Sequence, residues 1–159
     1  MHSWEICQRA FRWYNERENV AYWYGAKGEV LTDEIMDYFI LAEPLHFGRY
    51  TPEEIRRLKN WSRGKIGFDC SGFVSKCVGL TGWSSAGLWD KTVNRGSVAA
   101  AKAGSLLYRK GHIGIDIGYG QCMMIGTEGR TIEIVPNTSQ GFEAGGEWYE
   151  ADYSESNSH

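Results

Sequence analysis

The sequence predicts an α+β protein, with helices in its first half and antiparallel strands in its second. Two observations carry that expectation. Apolar residues recur at three- and four-residue steps in several segments up to about residue 78, and from Gly104 onward they fall into short β-type runs separated by glycine-containing turns. Helical patterns followed by strand patterns, rather than alternating with them, are the order of an α+β fold. With 159 residues the chain has room for one domain with a sizeable core.

The elements follow in order. Trp4, Cys7, Phe11 and Tyr14 lie on one face of an expected helix over 3–17. The run AYWYGAKGEV, Ala21 to Val30, is aromatic and then glycine-rich, which suggests an extended piece and a turn. LTDEIMDYFILAE forms a second helix, with Thr32 as N-cap and Asp33 and Glu34 in its first turn. EPLHFGRY is expected to be a loop. TPEEIRRLKNW forms a third helix, with Thr51 as cap, Pro52 at the first helical position and Glu54 completing a capping box. Gly64 and Gly67 break the chain before GFDCSGFVSKC, where Cys70, Phe73, Val74, Cys77 and Val78 again make a helical stripe. SAGLWDKTVN is a short helix. GSLLYRK, HIGIDIG, QCMMIG and TIEIV are the strands. From Asn137 the chain is polar and glycine-rich, and residues 151–159 are expected to be a disordered tail. One domain over 1–150 results, with residues 27–66 as a helical insertion.

Composition narrows the function. There are 17 basic and 20 acidic residues, a net charge of −3, and no basic run longer than two. That argues against nucleic acid as a partner. No apolar stretch approaches the roughly twenty residues of a membrane span. Seven Trp, nine Tyr and six Phe serve the core first, though such density also suits a groove for a polymer. The four cysteines, Cys7, Cys70, Cys77 and Cys122, are expected as reduced thiols. Paired close spacings of the kind zinc sites bring are missing, so neither metal nor cofactor is expected.

Two of those cysteines sit seven apart in GFDCSGFVSKC. Cys77 lies on the apolar stripe and is expected to be a buried small hydrophobe. Cys70 opens the helix directly after Asp69. Unpaired backbone N–H groups and the helix dipole favour an anion there, which would lower the thiol pKa and could also hold an oxyanion. A cysteine nucleophile needs a base, and His112 at the start of HIGIDIG is the candidate. Strand alternation puts Ile113, Ile115 and Ile117 on one face and His112, Gly114 and Asp116 on the other. Gly114 is expected to leave open space beside the histidine.

Taken together these segments resemble the NlpC-type cell-wall cysteine peptidases of the papain-like group. AYWYGA, Ala21 to Ala26, is similar to the family's aromatic segment, with Ala26 in place of its second glycine. FDCSGFV, Phe68 to Val74, is similar to the nucleophile motif. GSLLYRKGHIGIDIGYG, Gly104 to Gly120, resembles the strand, turn and histidine strand, with Ser105 in place of the usual acidic residue. The long segment 27–66 is similar to phage-type members. The resemblance implies a papain-like core, with the cysteine helix packed on a small antiparallel sheet that carries the histidine. It implies hydrolysis of an amide bond in the peptidoglycan stem peptide, after D-glutamate, by Cys70 and His112. It places Tyr22 near the nucleophile and Asp69 and Ser71 at the substrate's free amine. Asp69 has a local alternative, as cap of the Cys70 helix.

The family's third catalytic residue commonly lies twelve positions after the histidine, where this chain has Met124. Three readings of what orients His112 stay open. Glu128 shares the parity of Met124 if that strand continues so far. Thr127 would need a register slip. A backbone carbonyl or water would leave a Cys–His dyad. Asp116 lies about 13 Å along the strand at ~3.3 Å per residue, too far to serve. A catalytically inactive wall-binding module and an amidase or acyltransferase on another substrate are the competing functions. The N-terminal segment lacks a signal-peptide pattern, because Glu5, Arg9, Arg12 and Glu16 interrupt it. Synthesis in the cytoplasm and arrival at the wall by phage-type release or injection are therefore expected.

Overall fold

The computed structural model describes residues 1–154. Helix α1 (Ser3–Asn15) leads into strand β1 (Val20–Tyr22), then β2 (Lys27–Val30). Helices α2 (Asp33–Ala42), α3 (Pro44–Phe47) and α4 (Pro52–Ser62) follow, then β3 (Ile66–Phe68) and α5 (Cys70–Cys77). A short α6 (Ser85–Asp90) precedes β4 (Thr92–Gly96), β5 (Leu106–Arg109), β6 (His112–Gly118), β7 (Gln121–Met124), β8 (Glu133–Pro136) and β9 (Ala144–Trp148). Helices come before the main sheet, as the α+β reading expects. The caps are those read from sequence. Thr32 accepts the N–H of Ile35, and Thr51 and Glu54 form a reciprocal capping box.

The strands form two sheets. A small one has the order β1-β3-β2, with β1 parallel to β3 and β2 antiparallel to it. The main sheet is antiparallel throughout, in the order β4-β9-β5-β6-β7-β8. Helices α1 and α5 cover it. Ile6 and Ala10 of α1, Phe73, Val74 and Cys77 of α5, and Ile113, Ile115 and Met123 of the sheet make one buried cluster. Cys77 is fully buried within it. A second cluster, Trp23, Ala26, Leu31, Met36 and Phe47, fastens the segment 27–66 to the small sheet. A fully buried side chain of this size stabilises the fold by about 1.5–3 kcal/mol relative to its exposed state.

Several expectations need correction. EPLHFGRY is not a loop throughout, because Pro44 at a helix start initiates α3. The expected helix SAGLWDKTVN stops at Asp90, and Thr92 begins β4. The polar, glycine-rich segment after Asn137 contains β9, an interior strand. Gly145 and Gly146 hide the strand signal, yet an added Cβ would come within 2.9 Å of Ala101 and 2.8 Å of Thr92. They are glycines because neighbouring side chains close over the backbone. The tail is ordered further than expected. Tyr153 is buried, donating its hydroxyl to the Gly104 carbonyl and accepting the N–H of Trp148, and Asp152 bridges to His2. The rest of that tail, 155–159, lies outside the described residues.

Candidate active site

Helix α5 begins where β3 ends, so Cys70 stands at the junction of the small sheet and the main one. Asp69 is its N-cap, with Oδ1 accepting the Gly72 N–H at 2.6 Å. The local reading of Asp69 as a cap is therefore realised. Gly72 must be glycine, because an added Cβ would lie 2.7 Å from the carbonyl oxygen of Ala26. That close approach fixes the helix start against the segment after Tyr22.

His112 is delivered by the β5–β6 hairpin. Arg109 pairs with His112 across a turn in which Gly111 adopts φ +82°, a left-handed conformation suited to glycine. Cys70 and His112 line one groove of about 480 Å³, together with Tyr22, Arg109, Thr127 and Gln140. The thiol Sγ lies 4.0 Å from the carbonyl oxygen of Gly111, the residue before His112. Cys70 is 9% exposed and His112 5%, so both side chains sit at the floor of the groove rather than at its rim.

The partner of His112 is one the sequence did not offer. Its Nε2 lies 3.1 Å from the side-chain oxygen of Gln140, whose amide nitrogen donates to Ser139 Oγ at 3.2 Å. The backbone carbonyl of Gln140 accepts Arg109 Nε at 2.8 Å. Phe142 stacks on the imidazole, with centroids 5.1 Å apart and planes 12° apart. The space beside Gly114 is not open, because Phe142 fills it and leaves an added Cβ only 3.1 Å away. Gln140 follows the regular strands in a segment without periodicity. No sequence pattern marks it, and only the return of the chain into β9 brings it to the histidine.

Glu128 lies elsewhere. Strand β7 ends at Met124 rather than continuing, and the turn that follows carries the carboxylate away from the imidazole. Glu128 Oε1 accepts the Tyr50 hydroxyl at 2.9 Å and lies 2.8 Å from His46 Nε2, while Oε2 accepts the Tyr24 N–H at 3.0 Å. Its side chain is fully buried. The expectation that Glu128 orients His112 is therefore corrected. The carboxylate instead ties α3 and the α3–α4 connection to the segment after Tyr22. Thr127 lines the groove, but the bond to His112 comes from Gln140. Met124 also lines the groove, without a polar atom for the imidazole.

The other predicted residues divide. Tyr22, 7% exposed, lies in the groove with Cys70. Burial above all raises its pKa, and negative charge at Cys70, when it forms, and at Glu128 would raise it further, so the hydroxyl stays protonated. Asp69 and Ser71 flank Cys70 but are already engaged by the chain itself. Lys27 Nζ lies 2.9 and 2.8 Å from the two Asp69 oxygens and 2.8 Å from Ser71 Oγ.

The electrostatics also differ from the helix-start expectation. Burial raises the Cys70 thiol pKa, the Asp69 charge adds to this, and the N–H groups of Ile113 and Ser71 and the Lys27 ammonium offset only part. Burial lowers the His112 pKa, as does the Arg109 guanidinium, against the bond to Gln140. Both directions favour a neutral thiol and a neutral imidazole at rest. Burial also raises the pKa of the other thiols. Cys7 is pushed up to about 11 and Cys122 to about 12. All four cysteines are free. Among the described residues no cluster of three His, Cys, Asp or Glu side chains could hold a metal ion, and no helix is long and apolar enough to cross a membrane.

No family model matches the sequence, and no curated protein matches it. Solved structures do. The P60 domain of the antigen MAP1204 from M. avium subspecies paratuberculosis superposes with a TM-score of 0.59 at 14% identity, over 95% of this chain and 98% of that one. The fold is shared with the P60 domain. The peptidoglycan hydrolase RipB from Mycobacterium tuberculosis gives a TM-score of 0.58 at 17% identity, over 95% of this chain and 67% of that one. The Resuscitation Promoting Factor Interacting protein RipA, in a form mutated at a cysteine, gives 0.55 at 16% identity, over 92% of this chain and 63% of that one. The chain thus spans about two thirds of the RipA and RipB structures and nearly all of the P60 domain. The likeness establishes the papain-like α+β fold of such domains for this chain.

Proposed function

We propose that this protein is a cysteine hydrolase of the bacterial cell wall, cutting amide bonds in peptidoglycan stem peptides. The observation that carries the reading is the joining of Cys70, His112 and Gln140 along one groove in a P60-type fold. A cysteine, a histidine and a side-chain amide form the nucleophile, base and orienting group of papain-like enzymes. The peptidoglycan hydrolase RipB, which has this fold, supports the choice of substrate. The D-glutamyl–diamino acid bond is the bond we assign, and phage-type release or injection the route to the wall.

The chemistry follows from the geometry. With Nε2 turned to Gln140, Nδ1 is the imidazole nitrogen left to serve the thiol. Nδ1 takes the thiol proton as sulfur adds to the scissile carbonyl carbon. The N–H of Cys70, first in α5, has no acceptor within the helix and is placed to bind the resulting oxyanion. The imidazolium then protonates the leaving amine, the C–N bond breaks and a thioester remains. Water, deprotonated by Nδ1, adds to the thioester and releases the acid and the thiol. A side-chain amide fixes the imidazole orientation through all of these steps without adding charge.

Digestion of defined muropeptides, with products separated by mass, tests the reading. New amine and carboxyl ends should appear with the native protein and not with Cys70→Ala. Intact muropeptides after prolonged incubation with native protein would reject it.

A further inference from the structure

Lys27 reaches from β2 to the start of α5, and its three N–H donors all have acceptors there. Two are the oxygens of Asp69, at 2.9 and 2.8 Å, and the third is Ser71 Oγ, at 2.8 Å. The cluster is largely buried, with side-chain exposures of 27% for Lys27 and 14% for Asp69. Asp69 Oδ1 also accepts the N–H of Gly72 and the hydroxyl of Ser71.

Asp69 has two effects on Cys70 that oppose each other. As N-cap it holds the helix start, and with it the nucleophile, in place. As a carboxylate adjacent to Cys70 it disfavours the negative sulfur that the reaction must form. The ammonium of Lys27 offsets part of the second effect and leaves the first. We propose that Lys27 is a positioning residue for the nucleophile, pairing with the carboxylate that caps α5 so that Asp69 holds the helix start with less opposition to the Cys70 thiolate. The other ionisable groups lining the groove with Cys70 are His112 on β6, Arg109 on β5, Tyr22 on β1, and Arg130 paired with Glu133 at the start of β8. Tyr22 stays protonated and supplies no charge. The same contacts leave Asp69 and Ser71 already paired with a cation, unlike open acceptors for a substrate amine.

The proposal concerns the thiol itself and is tested without any peptidoglycan substrate. The rate of iodoacetamide labelling at Cys70, read by peptide mass mapping across pH 6 to 10, is measured on the full chain. Lys27→Met should move the labelling midpoint up by about one pH unit and slow labelling at neutral pH about tenfold. Lys27→Arg should restore most of the rate. Asp69→Asn keeps a capping acceptor but loses the charge, so it should speed labelling at neutral pH. Slowing by Lys27→Met with an unmoved labelling midpoint, or no rescue by Lys27→Arg, would show a merely structural role and overturn the proposal. Should Lys27→Met fail to fold, Asp69→Asn alone decides, since an unchanged or raised midpoint in that variant also overturns it.

Discussion

The side-chain oxygen of Gln140 lies 3.1 Å from Nε2 of His112, which leaves Nδ1 as the nitrogen that the proposed mechanism assigns to Cys70. This pair joins a residue at a strand start to one in an irregular segment 28 positions later. Phe142, two residues further on, stacks on the same ring. The chain thus closes over the histidine from the segment that leads into β9.

Gln140→Ala should lower turnover about ten- to a hundredfold, part of the ~10²–10⁴ that general acid–base catalysis contributes. Substrate affinity should change less. Gln140→Glu should retain activity but move the acid limb of the pH–rate profile upward. A carboxylate stabilises the imidazolium, raises the His112 pKa and leaves less neutral base at a given low pH. Steady-state kinetics across pH 5 to 8 check both outcomes. An unchanged acid limb in Gln140→Glu would argue against the contact.

Glu128 should matter for stability rather than for the base. Glu128→Ala leaves the Tyr24 N–H, the Tyr50 hydroxyl and His46 without their shared acceptor. The expected loss is about 3 kcal/mol, the scale for breaking a buried, hydrogen-bonded pair. Urea unfolding measures it. Glu128→Gln keeps the shape and should leave the NMR titration of His112 unmoved, whereas a clear shift in that titration would return Glu128 to the site.

The acid limb of the native pH–rate profile should have its midpoint below 6.5, the ordinary value from which burial and Arg109 lower His112. The sign is fixed by the role. A base must be neutral, and a lowered pKa keeps it neutral to lower pH. Because the Cys70 pKa is raised from 9.0, labelling by iodoacetamide should climb steadily through pH 8 and beyond, without the low-pH plateau of a preformed thiolate–imidazolium pair. A plateau at pH 5 to 6 would show the ion pair instead.

Among the four thiols, Cys70 should be labelled first in the folded protein. It alone lines the groove, and the fully buried Cys77 and Cys122 should react only on unfolding. Peptide mapping after brief alkylation checks the order. Cys70→Ala should abolish hydrolysis while leaving the thermal unfolding midpoint nearly unchanged, because it removes one small atom group at the groove wall.

What the sequence determined by itself is local. The caps at Thr32, Thr51 and Asp69, the helical stripe from Cys70 to Cys77 and the alternating run His112–Gly118 each follow from neighbouring residues. Those patterns were enough for the α+β class, the helix that begins at Cys70 and the strand that begins at His112. The tertiary structure decided the partners of these groups. Gln140 reaches His112, and Lys27 reaches Asp69 across 42 positions, because strand order and chain return set the distances. Glu128 fell to His46 and Tyr50 for the same reason, since β7 ends before it. Even the charge state of Cys70 is a tertiary property. A helix start alone favours the thiolate, and burial between two sheets with a carboxylate alongside outweighs it. Side-chain periodicity reports which face is apolar, but a contact between distant segments depends on where the whole chain can pack.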